Sequence, residues 1–330
     1  MLALLQQDLV PDIPLDDWTS AFVKYVRSFE IIDEFFDVLT GTIRAFVGTF
    51  EALLNAPPEL VMVAILTVIA FILSGWRVAL FGVIGFVLLI GMGLWEQAML
   101  SLALVLASAI VALAIGVPIG ILAAKSSILE GAARPTLDVM QTMPAFVYLV
   151  PMVVFLGLGS GPGLVATVIF ATPPAVRLTL LGLQQVPQDT VEAAQAFGAT
   201  PWQTLRKVEL PQALPTIMAG VNQVIMLALS MVVIAALVGA GGLGETVVRG
   251  LSQLDVGRAF IGGVGIVIIA IYLDRVTRSL GRGPQQEGGG IRRRLRLGKK
   301  GASKVLPGTR AGRDTVGAGT DKEADAEDRA

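Results

Sequence analysis

The chain has 330 residues, 54% hydrophobic and 15% charged, with neither cysteine nor histidine and a formal net charge of −1. A soluble domain carries about 25% charged residues, so an ordinary cytosolic enzyme and a disordered chain are excluded and a membrane protein is expected. Without cysteine and histidine there are no disulfides, no thiolate chemistry, no His-based metal site and no Ser-His or Cys-His catalytic pair.

The charge is unevenly spread. Residues 1–59 hold ten acidic and three basic groups, residues 60–273 hold eight of each, and residues 274–330 hold fourteen basic and eight acidic groups. These limits suggest an acidic N-terminal segment (1–56), a transmembrane domain (57–280) and a basic tail (281–330). Asp8, Asp12, Asp16 and Asp17 follow a short apolar start with no basic region, so no signal peptide is expected. Over residues 15–55, Phe22, Val26, Phe29, Ile32 and Phe36 recur at helical spacing among acids. They predict one or two amphipathic helices, lying on a membrane surface, on a partner or on the protein's own body.

The body contains charge-free runs at 60–76, 78–95, 97–124, 139–176, 210–244 and 259–273. A spanning helix needs about 20 apolar residues. The run 139–176 is too long for one helix and is broken by the glycine-rich stretch Gly157–Gly163. The expectation is an all-α polytopic fold with about seven spans, near 58–76, 78–95, 98–124, 139–157, 163–183, 212–240 and 259–274. Trp76 and Trp95 fall at span ends and read as interface anchors. Prolines 118, 144, 151, 173, 174 and 215 lie in or beside spans, where breaks line a transport pathway or are satisfied by neighbouring helices. Asn222 and Gln223 are amides inside the sixth span, fit for helix–helix hydrogen bonding or for a substrate. Glu96, Asp138 and Arg177 flank spans, and a gating ion pair from Arg177 has no partner named by sequence alone.

The polar stretch 184–215 predicts two short helices. Asp189 or Thr190 caps the first and Gly198 ends it; Thr200 caps the second with Pro201 at its first position; Pro211 stops it. A small helical hairpin with alanines on one side suits docking into another protein's groove. Placing this loop and the tail in the cytoplasm puts twenty of the 25 basic residues inside and leaves Lys24, Arg27, Arg44, Arg249 and Arg258 outside.

Glu192-Ala193-Ala194, Gly198, Val208 and Leu210-Pro211 have the residues and spacing of the EAA loop of bacterial ABC-importer permeases. Asp138–Pro151, Pro173–Arg177, Ile217–Gln223 and Gly239–Glu245 resemble glycine betaine/proline betaine permeases of the ProW type. The resemblance covers roughly residues 55–282. It implies a type I ABC importer permease fold in the bacterial inner membrane, and the distribution of basic residues puts the N-terminus and the loop 241–258 outside. It implies a homodimer, a separate ABC ATPase docked on the loop, and an extracytoplasmic substrate-binding protein. Glu192, Ala193, Ala194, Gly198, Leu210 and Pro211 then carry the coupling to the ATPase. A betaine substrate calls for aromatic groups, and Phe146, Tyr148, Phe155 and Phe170 are the candidates in the body, with Asn222 and Gln223 as polar ones. No compact Trp or Tyr cluster is visible, so high-affinity selection is assigned to the binding protein.

Gly239-Ala-Gly-Gly-Leu-Gly244 fits Gly-x-Gly-x-x-Gly but follows a long apolar run rather than a strand, so no dinucleotide site is expected. No P-loop motif occurs, so no cofactor is expected on this chain and Mg-ATP belongs to the partner ATPase. The basic run in the tail reads as a topology signal near anionic lipid rather than a nucleic-acid site, and the end from about Gly301 reads as disordered. The same architecture can serve choline, carnitine or another small solute. The competing class is a secondary transporter or channel, which would tend to show an ionisable residue within a span; none lies in the charge-free runs.

Overall fold

A computed structural model describes residues 30–280 and the isolated positions 17, 18, 21 and 25. The first amphipathic stretch (Phe22, Val26, Phe29) and the basic tail after 280 lie outside the described residues. Among the described residues every regular element is helical.

Helix α1 (Glu30–Asn55) lays Thr40, Ile43, Val47 and Leu54 against the body, and its Phe36 stacks on Phe155 at 4.9 Å. Part of its apolar face packs on the protein itself, while Phe35, Val38 and Leu53 stay exposed. Pro57-Pro58 then turns the chain by 98° into α2 (Glu59–Ser74). Gly75, at φ +88°, separates α2 from α3 (Trp76–Gly91). Each of these two helices has 16 residues, short of the length a straight crossing needs.

Four helices are long and apolar enough to span: α4 (Trp95–Lys125), α7 (Ser160–Gln184), the continuous stretch Pro201–Val238 and α12 (Val256–Leu280). Counting each sharply bent helix pair as one crossing raises the number to six. About seven were expected; length and composition give four to six among the described residues, with α3 (Trp76–Gly91) a further, shorter apolar helix. The expected span 139–157 is two helices, α5 (Ser127–Thr142) and α6 (Ala145–Leu156), bent by 91°. Pro144 is the cause, since the residue before a proline is pushed out of the helical region; Met143 is extended, with ψ 132°. The expected outer loop 241–258 also contains a helix, α11 (Gly242–Ser252).

The core is the packing of α7 between α4 and the long helix that follows the polar loop. Lipid offers no hydrophobic drive between helices, so close approach through small residues supplies the contact. A Cβ on Gly116 of α4 would lie 2.5 Å from the Ala175 Cβ, and one on Gly120 would lie 2.7 Å from both the Val176 carbonyl oxygen and the Thr179 Cβ. Pro173 and Pro174 are buried within α7, which continues through them. Tyr272 of α12 donates to the Leu66 carbonyl at 2.8 Å and meets Phe86 edge-on at 4.9 Å. Trp95 is 5% exposed against Phe86, so it belongs to the core and is not the interface anchor expected of it. Trp76 is exposed, with the Arg77 guanidinium over its ring.

Gly120→Ala is expected to lower the thermal midpoint and membrane abundance, because overpacking costs about 1–3 kcal/mol. Gly131→Ala on α5, where a Cβ meets nothing within 4 Å, is expected to be neutral or slightly stabilising. Thermal unfolding of the two detergent-solubilised variants separates them, and equal midpoints would refute the packing account.

Candidate functional site

The polar stretch after α7 forms the expected helical hairpin. Helix α8 (Gln188–Ala196) begins after Pro187 with no side-chain cap, so neither Asp189 nor Thr190 caps it; Asp189 lies in its first turn. Its end is a complete left-handed cap. The Gly198 N–H donates to the Gln195 carbonyl at 2.8 Å and the Ala199 N–H to the Ala194 carbonyl at 3.1 Å, with Gly198 at φ +81°. A side chain at 198 has open space and would be strained only by its backbone. Thr200 then caps α9 (Pro201–Thr204) reciprocally with Gln203.

Pro211 does not stop this helix. Leu205–Glu209 widens into a π turn and the chain runs on as α10 (Leu210–Ala235). In an unbroken α-helix the Pro211 ring would press on the Lys207 carbonyl. The wide turn sits where that conflict would fall, and the Leu210 N–H donates to the Leu205 carbonyl, five residues back.

The matched loop residues divide into two groups. Glu192 and Ala193 are exposed, Ala194 is half-buried and Gly198 is the turn. Beside them Phe197 is 93% and Trp202 66% exposed. Two large aromatic side chains thus stand clear of a polar hairpin, the kind of exposed apolar surface that marks an interaction site in other proteins. Sequence reasoning passed over both, although each is adjacent to a turn residue that it did identify. Leu210 behaves differently. It packs beside Leu183, Leu205, Ala213 and Ile217, with Val117, Ile121 and Ala124 of α4, at the root of the hairpin. Pro211 is exposed there. At the same root, Lys125 at the end of α4 pairs with Glu209 at 2.5 Å.

The pathway candidates do not meet as a cage. Tyr148 is buried with Leu149, Ala166 and Met231, and its hydroxyl donates to the Met140 carbonyl at 2.6 Å. Phe170 lies 6.5 Å from the Tyr148 ring. Asn222 accepts from the Thr277 hydroxyl at 2.9 Å, which ties α10 to α12. Phe146 and Gln223 are exposed. Arg177 acquires the partner that sequence did not name: its guanidinium pairs with Asp138 of α5. The two border a cavity of about 290 Å³ together with Arg134, Leu137, Leu180, Leu181 and Gln184. The glycine-rich stretch after α10 follows a helix, not a strand; Gly239, Gly241 and Gly242 all have positive φ, and the Leu243 N–H donates to the Ser101 hydroxyl. Among the described residues no group of three or more acidic side chains comes together as a metal site.

Residues 116–284 match the family of binding-protein-dependent transport system inner membrane components. The glycine betaine/proline betaine transport system permease protein ProW of Escherichia coli K12 is 47% identical over 279 residues, 84% of this chain and 77% of that protein. The glycine betaine/carnitine transport permease protein GbuB of Listeria monocytogenes is 46% identical over 84% of this chain and 99% of its own length. Among solved structures, an inward-facing MetNI methionine ABC transporter chain matches with a TM-score of 0.51 at 25% identity, covering 55% of this chain and 93% of that one.

Tyr148→Phe is expected to cost about 0.5–1.5 kcal/mol through the lost hydrogen bond, read as a small fall in the thermal midpoint. An unchanged midpoint would mean that the hydroxyl is not committed to Met140 and is free to face a solute.

Proposed function

The chain belongs to the family of binding-protein-dependent transport system inner membrane components, and we propose that it imports glycine betaine/proline betaine-type osmolytes as the permease subunit of an ATP-driven machine. The observation that carries this reading is the hairpin. It pairs a spacing used by importer permeases with exposed Phe197 and Trp202, and it continues directly into a helix long enough to span. The family places the chain in the inner membrane and gives it an ATPase and a substrate-binding protein as partners. The betaine-type solute rests on the substrates named for its relatives.

Within this reading, Phe197, Trp202, Ala193 and Ala194 seat in a groove of the ATPase, and Glu192 bonds across that joint. Gly198 holds the two short helices at the angle docking needs. Leu210 and Pro211 join the hairpin to the spanning helix. ATP, bound with Mg²⁺ by the ATPase, draws two such hairpins together in a homodimer and switches which side of the membrane the pathway opens to. The hairpin faces the cytoplasm, and the N-terminal segment lies outside with the binding protein. Phe146 and Gln223, exposed on a single copy, line the pathway between copies. Carnitine is a second candidate solute, since it shares the trimethylammonium group and GbuB is named for it.

The test is labelled glycine betaine uptake into proteoliposomes holding this chain, its ATPase and the binding protein, with carnitine and choline as competitors. Expected is ATP-dependent accumulation that vanishes without the binding protein. Gly198→Asp is expected to leave the chain in the membrane and abolish both ATPase docking and uptake. Uptake without ATP would support a carrier or channel instead, and normal uptake by Gly198→Asp would remove the hairpin from the mechanism.

A further inference from the structure

The base of the hairpin holds an ion pair unlike the others described. Glu130–Arg134, Glu245–Arg249 and Asp274–Arg278 each lie within one helix at i, i+4 spacing. Asp138–Arg177 joins two helices, but both side chains are substantially exposed. Lys125–Glu209 joins the inner end of α4 to the last residue of the π turn across 84 positions of sequence, with a Nζ–Oε2 distance of 2.5 Å. The Glu209 side chain is 7% exposed and that of Lys125 47%. A carboxylate withdrawn from water this far depends on its cation, whereas an exposed pair contributes little.

The surroundings make the pair mechanical as well as electrostatic. Beside it lies the cluster of Leu183, Leu205, Ala213 and Ile217, against which Val117, Ile121 and Ala124 of α4 pack. Interleaved with these residues along α4, Gly116 and Gly120 hold the helix against the backbone of α7. On the other side, Glu209 is continuous with the capped hairpin, because no break separates Pro201 from α10. A push on the hairpin therefore reaches α10 through the chain. It reaches α4 through this ion pair and through the apolar cluster beside it.

We propose that Lys125 and Glu209 are positioning residues that pin α4 to the root of the hairpin, so that displacement of the hairpin by the ATPase moves α4 with α10. The proposal rests on the importer reading. Without the pin, the hairpin can still dock and the ATPase can still turn over, but α4 lags and hydrolysis is spent without transport.

The experiment uses the full chain reconstituted with its ATPase and binding protein, comparing wild type, Glu209→Met and the exchanged double variant Lys125→Glu/Glu209→Lys. Methionine keeps the volume beside the apolar cluster and leaves Lys125 accessible to water, so the fold is expected to survive; thermal midpoint and membrane abundance verify this. Expected for Glu209→Met is an ATPase rate within about twofold of wild type and about tenfold less solute imported per ATP hydrolysed, a loss within the usual range of coupling between sites. The exchanged variant is expected to recover at least half of the wild-type ratio. Wild-type import per ATP in Glu209→Met overturns the pin. So does a parallel loss of ATPase activity, import and thermal midpoint, which would mark a purely structural pair, and so does failure of the exchange to rescue. No ATP-dependent import by wild type overturns the importer reading itself, and the role of the pair with it.

Discussion

Close approach of α4 to α7 is the constraint on which the other packing depends. In a bilayer the apolar surfaces of helices gain little from meeting each other, so van der Waals contact at short range has to hold them. Gly116 and Gly120 supply that contact by presenting bare backbone to Ala175, Val176 and Thr179. The same device recurs where Gly182 of α7 faces Ala213 and Thr216, and where Gly220 of α10 faces Leu178. Helix α7 is thereby gripped from both sides along its C-terminal half. Its two consecutive prolines can be accommodated there, since neighbouring helices bury the loosened backbone.

A gripped α7 sets how the polar hairpin can be attached. The chain leaves α7 at Gln184 and must return as a spanning helix packed against the same α7. Pro211 would ordinarily interrupt that return. The π turn absorbs it, at the one place where the helix passes from the hairpin into the packed body. The outcome is a continuous rod from Pro201 to Val238, one end reaching into water and the other buried among helices. Leu210 and Glu209 sit at the fulcrum, one in an apolar cluster and the other in an ion pair. On the proposed coupling role, a rod held at that point would convert a force on the hairpin into tilt within the body. A flexible loop of the same composition would not.

Much of this was legible in the sequence because the relevant signals are local. The caps at Gly198 and Thr200, the span of α7 and the all-helical class follow from residues that act within a turn of themselves. What was missed depends on contacts across the chain. Hydropathy marks an apolar stretch but not its helix boundaries or bends, so the sequence does not show that α2 joins α1 at a 98° bend or that α3 has only 16 residues. Pro144 is visible in the sequence, but the 91° bend it permits is set by what α5 and α6 pack against. Trp95 has the position of an interfacial anchor and the environment of a core residue, because Phe86 reaches it from another helix. The partners of Arg177 and Lys125 lie 39 and 84 positions away, and one-dimensional spacing carries no trace of either.

The polar and aromatic groups of the body bear on where a solute is selected. Recognition of a quaternary ammonium group is strongest when several aromatic faces surround it. Here Tyr148 is committed to Met140, Phe155 stacks on Phe36, and Phe170 belongs to the cluster around Tyr148. Asn222 is held by Thr277. Phe146 and Gln223 remain accessible, and they are too few to enclose a trimethylammonium group from one copy. If these groups line the pathway as proposed, the solute passes few aromatic faces on one copy, which suits a subunit whose substrate is selected by a binding protein. On the proposed reading the labour is divided: exposed Phe197 and Trp202 of the hairpin serve the joint with the ATPase, apart from the aromatic groups considered for the solute.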